Sequence, residues 1–422
     1  MRNFETKRTA PDAQFLSETM NGESAVTTNW LAVGIVVAAG IIAALQVGKV
    51  IVSVPLLRAE LGLSLSAAGW IISIFSVLGV VGGIPTGAAV HRFGDRRILV
   101  LGLLAIVLGS LAGGFVSSYP MLLGTRVLEG LGFLLVVIAA PDLISRIVAT
   151  PDRDRALAIW SCFMPIGMAL ALLVGPFWVG WRGLWFANAV LAALVAIAVM
   201  SFVSRRAVLQ PDSWSWSGLG RDTMQTVTAD GPLLLATTFA LYATMFFALF
   251  SFLPVLLEQR MGVSAALASA LTAAAIGANI IGNLVAGVLR ERGVAQWKII
   301  AVASIVMSVA GFGIFLPILP NLAVFGACII FSGVGGLIPA IVIGGIPTLV
   351  PSVRLSPVSF GLVMQGNNLG QLIGPVAVGG VVDAMGWNAV AVFIAGGGVA
   401  VVLLAVALRQ SFQRAKIGSA TL

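Results

Sequence analysis

The stretch that decides the fold is Gly87-Ala88-Ala89-Val90-His91-Arg92-Phe93-Gly94-Asp95-Arg96-Arg97, a short charged loop between two long apolar runs. These runs cover residues 67–90 and 97–116, and each holds the roughly 20 residues that a helix needs to cross a bilayer. The loop itself is dominated by basic residues. The pattern predicts two membrane-spanning helices whose connection carries positive charge on one side of the membrane.

The same alternation of apolar runs and charged gaps continues along all 422 residues. With 59% hydrophobic and 9% charged residues, the chain has little material for a soluble domain. The predicted fold class is therefore all-α integral membrane, with twelve transmembrane helices. The twelve runs are 30–54, 67–90, 97–116, 121–148, 156–180, 183–203, 232–257, 265–289, 297–317, 321–350, 356–382 and 387–408.

The basic residues predict the orientation of these helices. Nineteen of the 24 Lys and Arg residues fall in one set of alternate gaps, and only Arg58, Arg182 and Arg260 fall in the other. Because cytoplasmic loops are enriched in Lys and Arg, both termini are expected in the cytoplasm of a cell whose inner membrane holds the protein. Basic rims facing an anionic leaflet also explain the net charge of +8, so no nucleic-acid partner is expected.

The sequence contains few residues that could serve catalysis, metal binding or ATP binding. Cys162 and Cys328 lie inside separate apolar runs and are interpreted as packing residues. With one histidine in the chain, no metal-ligand cluster and no nucleophile–base set is predicted, so neither an enzyme nor a cofactor nor a metal site is expected. The chain has no Gly-x-x-x-x-Gly-Lys-Ser/Thr loop, which argues against direct ATP coupling.

A polar stretch divides the runs into two groups of six. Gly175-Pro176 in the fifth run is repeated as Gly374-Pro375 in the eleventh, which indicates two related halves. Two such halves predict alternating access at their interface, and the Gly-Pro pairs would let helices bend as the halves rock. Ordinary close packing explains many of the glycines equally well. The predicted organisation is a tail at 1–29, a half at 30–203, a linker at 204–231, a half at 232–408 and a tail at 409–422.

The loop at 87–97 resembles the signature loop of the major facilitator superfamily, which runs Gly, x, Leu, x, Asp, Arg, x, Gly and then basic residues. Here Ala89 stands for the Leu and His91 stands for the Asp. The segment Arg126 to Gly132 is similar to the family's Arg-x-x-x-Gly-x-Gly segment in helix 4, and Gly175-Pro176 resembles part of the helix 5 motif of family antiporters. The resemblance implies the major facilitator fold, with two pseudo-symmetric six-helix halves, and a transport function.

The resemblance also implies a cytoplasmic gate around this loop. Asp142 and Arg146 are spaced four residues apart at the inner end of the fourth run, and the family fold would place them near the loop arginines. Such charge clusters hold one face closed in one state and separate in the other. Orientation alone also requires arginines here, and His91 is either a pH-sensitive part of the gate or a solvated loop residue. The candidate gate residues are Gly87, His91, Arg92, Gly94, Arg96, Asp142 and Arg146.

A finer resemblance concerns the end of the first run. Lys49-Val50-Ile51-Val52-Ser53-Val54-Pro55-Leu56-Leu57 is similar to the cyanate permease-like branch, which carries a basic residue and then Pro-Leu-Leu at this place. The segments Ala140-Pro141 and Met164-Pro165-Ile166-Gly167 fit the same branch. Its members are associated with small organic anions or small polar solutes, so the resemblance implies a substrate of that kind.

Lys49 is the first candidate for substrate binding. It lies inside the first run, about five residues before the predicted end at 54, and shares a helical face with Gln46 and Ser53. A charge inside a membrane span costs at least ~2.5 kcal/mol on insertion scales, so a functional role is the default interpretation. The alternative is that Lys49 extends outward to water or only pairs with an acid.

Arg126 and Glu129 in the fourth run are expected near the depth of Lys49. Two cations against one carboxylate leave one positive charge in excess, which an anionic substrate would balance. Glu129 would then take up or release the coupling proton. The alternative is a structural network that only holds helices 1 and 4 together, since buried ion networks are often structural.

Amides in the eleventh run are further candidates, because they orient polar solutes without carrying charge. Gln365 and Asn368 lie one turn apart, and Asn279 and Tyr242 are additional candidates in runs eight and seven. The alternative for any one amide is a hydrogen bond that joins two helices.

Together these features predict a secondary active transporter of a small anionic or polar organic solute, working as a monomer by alternating access and coupled to protons. The alternative is a proton-driven drug or multidrug efflux antiporter, which the partial helix 5 motif favours. A receptor that kept the fold and lost transport is a third possibility, although no soluble signalling domain is appended.

Overall fold

The computed structural model describes residues 28–178, 180–204, 216–352 and 355–420. Within that part the chain is helical, with short 3-10 turns and no strand. Most of the predicted N-terminal tail and part of the predicted linker lie outside it. So do several basic residues used to predict the topology, namely Arg2, Lys7, Arg8, Arg205, Arg206 and Arg354.

Twelve helical segments, named α1 to α12, follow the order of the twelve apolar runs. The first six, the N-half, are α1 (Trp30–Leu61), α2 (Leu65–Ser73 and Val77–Phe93), α3 (Asp95–Phe115), α4 (Tyr119–Ile147), α5 (Arg153–Ser161 and Phe163–Val174) and α6 (Gly180–Phe202). The other six, the C-half, are α7 (Asp230–Phe250 and Leu253–Met261), α8 (Ala265–Glu291), α9 (Gln296–Phe315), α10 (Asn321–Gly335 and Leu337–Leu349), α11 (Ser356–Met385) and α12 (Asn388–Ala420). A linker helix, Trp216–Val227, lies between the two groups.

Eleven of these segments in the described part are long and apolar enough to cross a membrane. The remaining one is α11, whose 30 residues are ample in length but include the amides Gln365, Asn367, Asn368 and Gln371. These amides lower the mean hydropathy of α11 because each exchanges an apolar side chain for a polar one. The predicted all-helical, multi-pass membrane architecture is confirmed.

The end of the first predicted run is wrong by two turns of helix. Helix α1 continues past residue 54 and through Pro55 to Leu61, where Gly62 ends it with a positive φ of 63°. Such a φ suits glycine because glycine has no Cβ. Lys49 therefore lies near the middle of a 32-residue helix, deeper than the five residues from its end that the sequence predicted.

Backbone conformation repeats between the halves. The described glycines with positive φ form three pairs at equivalent helix ends. Gly62 (63°) and Gly262 (64°) end α1 and α7, and Gly94 (89°) and Gly293 (76°) lie between α2 and α3 and between α8 and α9. Gly180 (72°) and Gly386 (76°) open α6 and α12, and each is followed by a tryptophan. The two halves therefore share their turns as well as their helix count.

Helix packing follows the same repeat. Helix α1 packs on α5, as α7 packs on α11, and small residues allow the close approach in both pairs. In the N-half pair Gly48 lies against Ala171, and in the C-half pair Gly370 lies against Ala243. Between the halves, α2 packs on α11 and α5 packs on α8. The interface is thus formed by two equivalent helix pairs.

The two copies of the Gly-Pro motif differ in structure. Gly175 and Pro176 lie in a 3-10 turn, Gly175–Phe177, that ends α5. Gly374 and Pro375 lie inside the continuous helix α11, where the Pro375 carbonyl lies against Gly69 of α2. Only the second pair is therefore placed within a helix at the interface between the halves.

Candidate functional site

Three charged side chains meet in the interior of the N-half, as the sequence suggested. Lys49 of α1 donates from Nζ to Glu129 Oε1 of α4 at 2.6 Å, and Arg126 donates from Nη1 to Glu129 Oε2. All three side chains are fully buried. One carboxylate is therefore shared by two cations, and the set carries one positive charge in excess when all three groups are ionised.

Neutral groups complete this arrangement. Ser110 of α3 accepts from Lys49 Nζ at 2.9 Å and lies 2.7 Å from Glu129 Oε1 and 3.1 Å from Gln46 Oε1, either of which can accept its hydroxyl proton. Gln46 in turn donates to Asn188 of α6 at 3.3 Å. We call Gln46, Lys49, Ser110, Arg126 and Glu129 the N-half cluster. It binds α1, α3 and α4 together.

Aromatic rings cover the two cations. Lys49 Nζ lies 4.4 Å from the centre of the Trp185 ring, and the Arg126 guanidinium lies 4.7 Å from the centre of the Phe75 ring. Ring faces attract cations, and this attraction is stronger where water is excluded. Arg126 Nε donates to the Ile71 carbonyl at 3.1 Å, whereas its buried Nη2 has no hydrogen-bond partner among the described residues.

Sequence reasoning missed Ser110 and Asn188. Each had a signal, because Ser110 is the one polar side chain between Ile98 and Phe115, and Asn188 is the one amide in the sixth run. A lone polar residue in an apolar run needs a partner in the membrane. That partner is the N-half cluster.

The candidates Tyr242 and Asn279 are in contact in the C-half. The cluster that they form contains only neutral side chains. Asn279 Nδ2 lies 3.1 Å from both the Tyr242 hydroxyl and the Ser332 carbonyl, and Asn283 donates to Asn279 Oδ1 at 2.9 Å. We call Tyr242, Asn279, Asn283 and Ser332 the C-half cluster. It joins α7, α8 and α10 through neutral hydrogen bonds.

The α11 amides lie along α2, at the interface between the halves. The Ser76 hydroxyl donates to Gln371 Oε1 at 3.3 Å. Asn368 fills the space beside Gly79 and donates to the carbonyl of Met364 within its own helix, and Gln365 lies beside Gly83. This placement fits the alternative in which such amides join helices.

The candidate gate residues lie at the end of the bundle that holds the start of α1 and the loop between α2 and α3, which we call the basic face. Arg146 pairs with Asp95 at 3.2 Å, and Arg96 donates to the Val199 and Met200 carbonyls at the end of α6. Both links stay within the N-half. Asp95, which was not predicted, was signalled by its position beside Gly94.

The other candidate gate residues are Gly87, His91, Arg92, Gly94 and Asp142. Gly87 has open space around it, and Asp142 lies one turn before Arg146 on α4. His91 and Arg92 belong to the last turn of α2, but their side chains lie outside the described part of the structure.

At the opposite end of the bundle, Asp383 links the two halves. Its carboxylate oxygens, on α11, accept from the backbone amides of Leu65 at 3.3 Å and Ser66 at 2.8 Å. These amides begin α2, where N–H groups lack partners within the helix and favour an anion. Sequence reasoning did not single out Asp383.

No group of three or more His, Cys, Asp or Glu side chains in the described ranges is arranged to hold a metal ion. In the N-half cluster one carboxylate is held by two cations, and one guanidinium nitrogen of Arg126 has no partner in the part of the chain that the structure describes. Such a site suits an anion or a proton.

Comparison with known proteins identifies the family. The profile of the Major Facilitator Superfamily matches residues 36–354. The chain belongs to the Major Facilitator Superfamily. Among solved structures of the superfamily's fold, a bacterial homologue of the human lysosomal transporter Spinster, in an inward-facing and occupied conformation, superposes with a TM-score of 0.67. That match covers 92% of this chain and 96% of the other at 17% identity, so it supports the fold alone.

Relatives of this chain include proteins whose names state a function. The methyl viologen resistance protein SmvA of Salmonella typhimurium is 30% identical over 185 residues, which cover 42% of this chain and only 37% of that protein. The 3-(3-hydroxy-phenyl)propionate transporter of Escherichia coli is 25% identical over 344 residues, covering 78% of this chain and 82% of that protein. Superfamily relatives of this chain thus include both a resistance protein and a transporter of an organic acid.

Proposed function

We propose that this chain is a secondary active transporter of a small anionic or polar organic solute, working by alternating access and coupled to protons. The observation that carries the proposal is the N-half cluster, in which two fully buried cations share one carboxylate. A buried charge is costly in a membrane unless it is paired, so the excess positive charge favours a second anion.

Carboxylate exchange is the mechanism that this geometry supports best. With Glu129 protonated, Lys49 and Arg126 lose their shared counter-ion and can bind a carboxylate of the substrate. When Glu129 releases its proton, its carboxylate competes for the same two cations and displaces the substrate. One proton is then bound together with each negative charge of the substrate and released with it, which keeps the buried net charge constant.

Neutral groups are proposed to fix the rest of the solute. Gln46, Tyr242 and Asn279 offer hydrogen-bonding atoms on α1, α7 and α8, and Gln365 and Asn368 line the α2–α11 interface where the halves must move apart. Because uncharged donors and acceptors discriminate by position, they would set selectivity among anions bound by Lys49.

Alternating access would use both ends of the bundle. The proposed cytoplasmic gate is the basic face around Asp95, Arg96, Asp142 and Arg146, with both termini in the cytoplasm of a cell whose inner membrane holds a monomer. Gly374 and Pro375 are proposed to let α11 bend as the halves move, and Gly175 and Pro176 to let the turn after α5 adjust, with the linker at 204–231 connecting the halves.

Efflux of drugs by proton antiport is the second candidate. It is supported by the relative SmvA, which is named a methyl viologen resistance protein. A cationic substrate needs an anionic site, however, whereas the single carboxylate of the N-half cluster is already held by two cations. The organic-acid relative, which aligns over more of the chain, agrees better with the anion proposal.

A ligand panel on purified protein tests the proposal. Thermal unfolding would be measured with 3-(3-hydroxyphenyl)propionate and related carboxylates, with neutral sugars and with methyl viologen, for wild type and Lys49→Gln. We expect a carboxylate to raise the Tm of wild type but not of Lys49→Gln. The matched control is Lys298→Gln, an exposed lysine at the basic face, which should respond like wild type. Stabilisation by methyl viologen that survives in Lys49→Gln would favour efflux instead.

A transport assay distinguishes proton-coupled accumulation of the substrate from binding alone. In proteoliposomes with an imposed pH gradient, wild type should accumulate the stabilising carboxylate, and Glu129→Gln should bind it without accumulation. Equal accumulation by Glu129→Gln would remove Glu129 from the coupling mechanism.

A further inference from the structure

Helix α2 is interrupted along its length. Its first piece ends at Ser73, and a 3-10 turn, Ile74–Ser76, precedes its second piece. The Ile74 amide still donates to Trp70, four residues back, whereas the Val77 amide donates to Ile74, three residues back. The turn contains neither proline nor glycine. Sequence alone therefore does not account for the interruption.

A side chain from α4 explains it. Breaks in helices occur where a side chain inserts into the backbone hydrogen-bond ladder. Here Arg126 Nε donates to the Ile71 carbonyl at 3.1 Å, and Ile71 directly follows Trp70, whose carbonyl accepts from the Ile74 amide. The Arg126 guanidinium also covers the ring of Phe75 inside the turn. Gly130, one turn further along α4, lies directly against the Phe75 carbonyl.

The other side of the same turn contacts the C-half. The Ser73 hydroxyl donates to the Gln371 carbonyl at 3.4 Å, and the Ser76 hydroxyl donates to Gln371 Oε1 at 3.3 Å. The turn thus lies between the N-half cluster and α11. Mid-helix 3-10 segments often mark hinges.

We propose that Arg126 is a positioning residue that transmits the charge state of Glu129 to the hinge of α2 and, through Ser73 and Ser76, to the α2–α11 interface. The inference rests on the proposed function, which gives Glu129 a reason to change charge. It goes further in naming the route by which that change moves the halves.

The physical reason is that one planar group makes both contacts. Arg126 holds Glu129 through Nη1 and Ile71 through Nε, so the guanidinium cannot shift at one end without disturbing the other. Lys49 and Arg126 are the charged groups in contact with Glu129 among the described residues, and α3 contributes only the neutral Ser110. When Glu129 becomes neutral, Arg126 loses its charged partner and the support of the hinge changes.

Distances between two spin labels on α2 test this. Labels at Trp70 and Phe93 bracket the turn at a spacing of about 35 Å, taking about 1.5 Å per helical residue. Cys162 and Cys328 would first be replaced by Ala. Glu129→Gln represents the neutral state. If the three residues of the turn become α-helical, the spacing shortens by about 1.5 Å, because a 3-10 rise is about 2.0 Å per residue.

Arg126→Lys is the decisive variant, because it keeps a cation beside Glu129 but removes Nε. We expect it to shift the label distance by itself and to abolish the further response to Glu129→Gln. Arg58→Lys is the matched control, since Arg58 Nε also donates to a backbone carbonyl at 3.1 Å, that of Leu63, but outside the cluster. It should leave both the distance and the response unchanged. A full response to Glu129→Gln in the Arg126→Lys background would overturn the proposal.

A second variant keeps the test decisive if Arg126→Lys does not fold. Gly130→Ala places a methyl group into the space of the Phe75 carbonyl, so it should displace the turn by itself and remove the further response to Glu129→Gln, whereas Gly124→Ala on the same helix adds its methyl to open space. A response to Glu129→Gln that persists in Gly130→Ala as in Gly124→Ala also overturns the proposal.

These results are separable from those for the proposed function. A hinge response without stabilisation by any carboxylate would support the route from Arg126 and reject the anionic substrate. Carboxylate binding that depends on Lys49, with no hinge response, would support the substrate and reject the route.

Discussion

The N-half and C-half clusters occupy related places in two halves that share the same turns, yet only one of them is charged. The N-half cluster contains Lys49, Arg126 and Glu129 within a network of hydrogen bonds. The C-half cluster makes its links with the Tyr242 hydroxyl and the Asn279 and Asn283 amides. The two halves thus share a backbone arrangement, but the N-half has a charged cluster and the C-half has a cluster of neutral hydrogen bonds.

The difference indicates a division of labour. A charged cluster responds to a proton or an anion with a large change in interaction energy, because its groups are desolvated. A neutral amide cluster holds helices together with little dependence on either. On this view the N-half senses charge and the C-half provides a fixed surface for the rest of the solute.

Removal of the shared carboxylate should have the largest effect. Glu129→Leu leaves two buried cations without a counter-ion, and breaking a buried pair in this way costs about 3–5 kcal/mol of stability. Reversible unfolding in mixed micelles would measure it. The control is Lys49→Met with Arg126→Met and Glu129→Leu, which leaves no buried charge and should recover most of the loss. A triple variant as unstable as Glu129→Leu would contradict this account.

Glycines at equivalent helix contacts should show the shared frame. Gly130 of α4 lies against the Phe75 carbonyl of α2, and Gly336 of α10 lies against the Asn279 carbonyl of α8. An added methyl overpacks each contact, so Gly130→Ala and Gly336→Ala should each cost about 1–3 kcal/mol in unfolding experiments. Gly124→Ala and Gly326→Ala, which face open space on the same helices, are the controls. A large loss in one half only would argue against equivalent packing.

The neutral cluster should tolerate loss of a single bond. Tyr242→Phe removes the hydroxyl that lies 3.1 Å from Asn279 Nδ2, and hydrogen bonds between membrane helices average about 0.6 kcal/mol. The same unfolding assay should therefore give a much smaller change than Glu129→Leu. A loss comparable to that of Glu129→Leu would erase the contrast between the clusters.

The smallest effects are expected at the rim opposite the basic face. There a tryptophan of each half donates a hydrogen bond, to a charged acceptor in the N-half and to a neutral acceptor in the C-half. Trp181 donates its indole proton to Glu60 at 2.7 Å, and Trp387 donates to Gln259 at 2.8 Å. Glu60 and Gln259 are both exposed, so Glu60→Ala and Gln259→Ala should each cost about 0.2–1 kcal/mol in the same unfolding assay.

Salt distinguishes the two rim contacts. Because salt screens exposed charges, the cost of Glu60→Ala should fall at high ionic strength, while that of Gln259→Ala stays constant. Equal salt dependence of the two variants would show that the charge of Glu60 has no part in the contact.

The sequence predicted some of the site residues and missed others. It predicted that Lys49, Arg126 and Glu129 lie at similar depth, because helical spacing and the order of the runs limit where such residues can be. It did not find Ser110 or Asn188, which lie on helices distant in sequence. It proposed Gln365 and Asn368 as solute ligands, whereas both lie against glycines of α2. The face that a polar residue presents depends on which helix packs beside it.

What the sequence by itself determined is the class of the protein, the number and order of its helices, and its internal repeat. These follow from local physics, since a bilayer demands about 20 apolar residues per span and glycine marks the turns with positive φ. Only the tertiary structure decided that Glu129 is shared by two cations and that α2 breaks at Ile74–Ser76. Both depend on contacts between residues that are far apart in the chain, and the geometry of such contacts is set by the packing of whole helices.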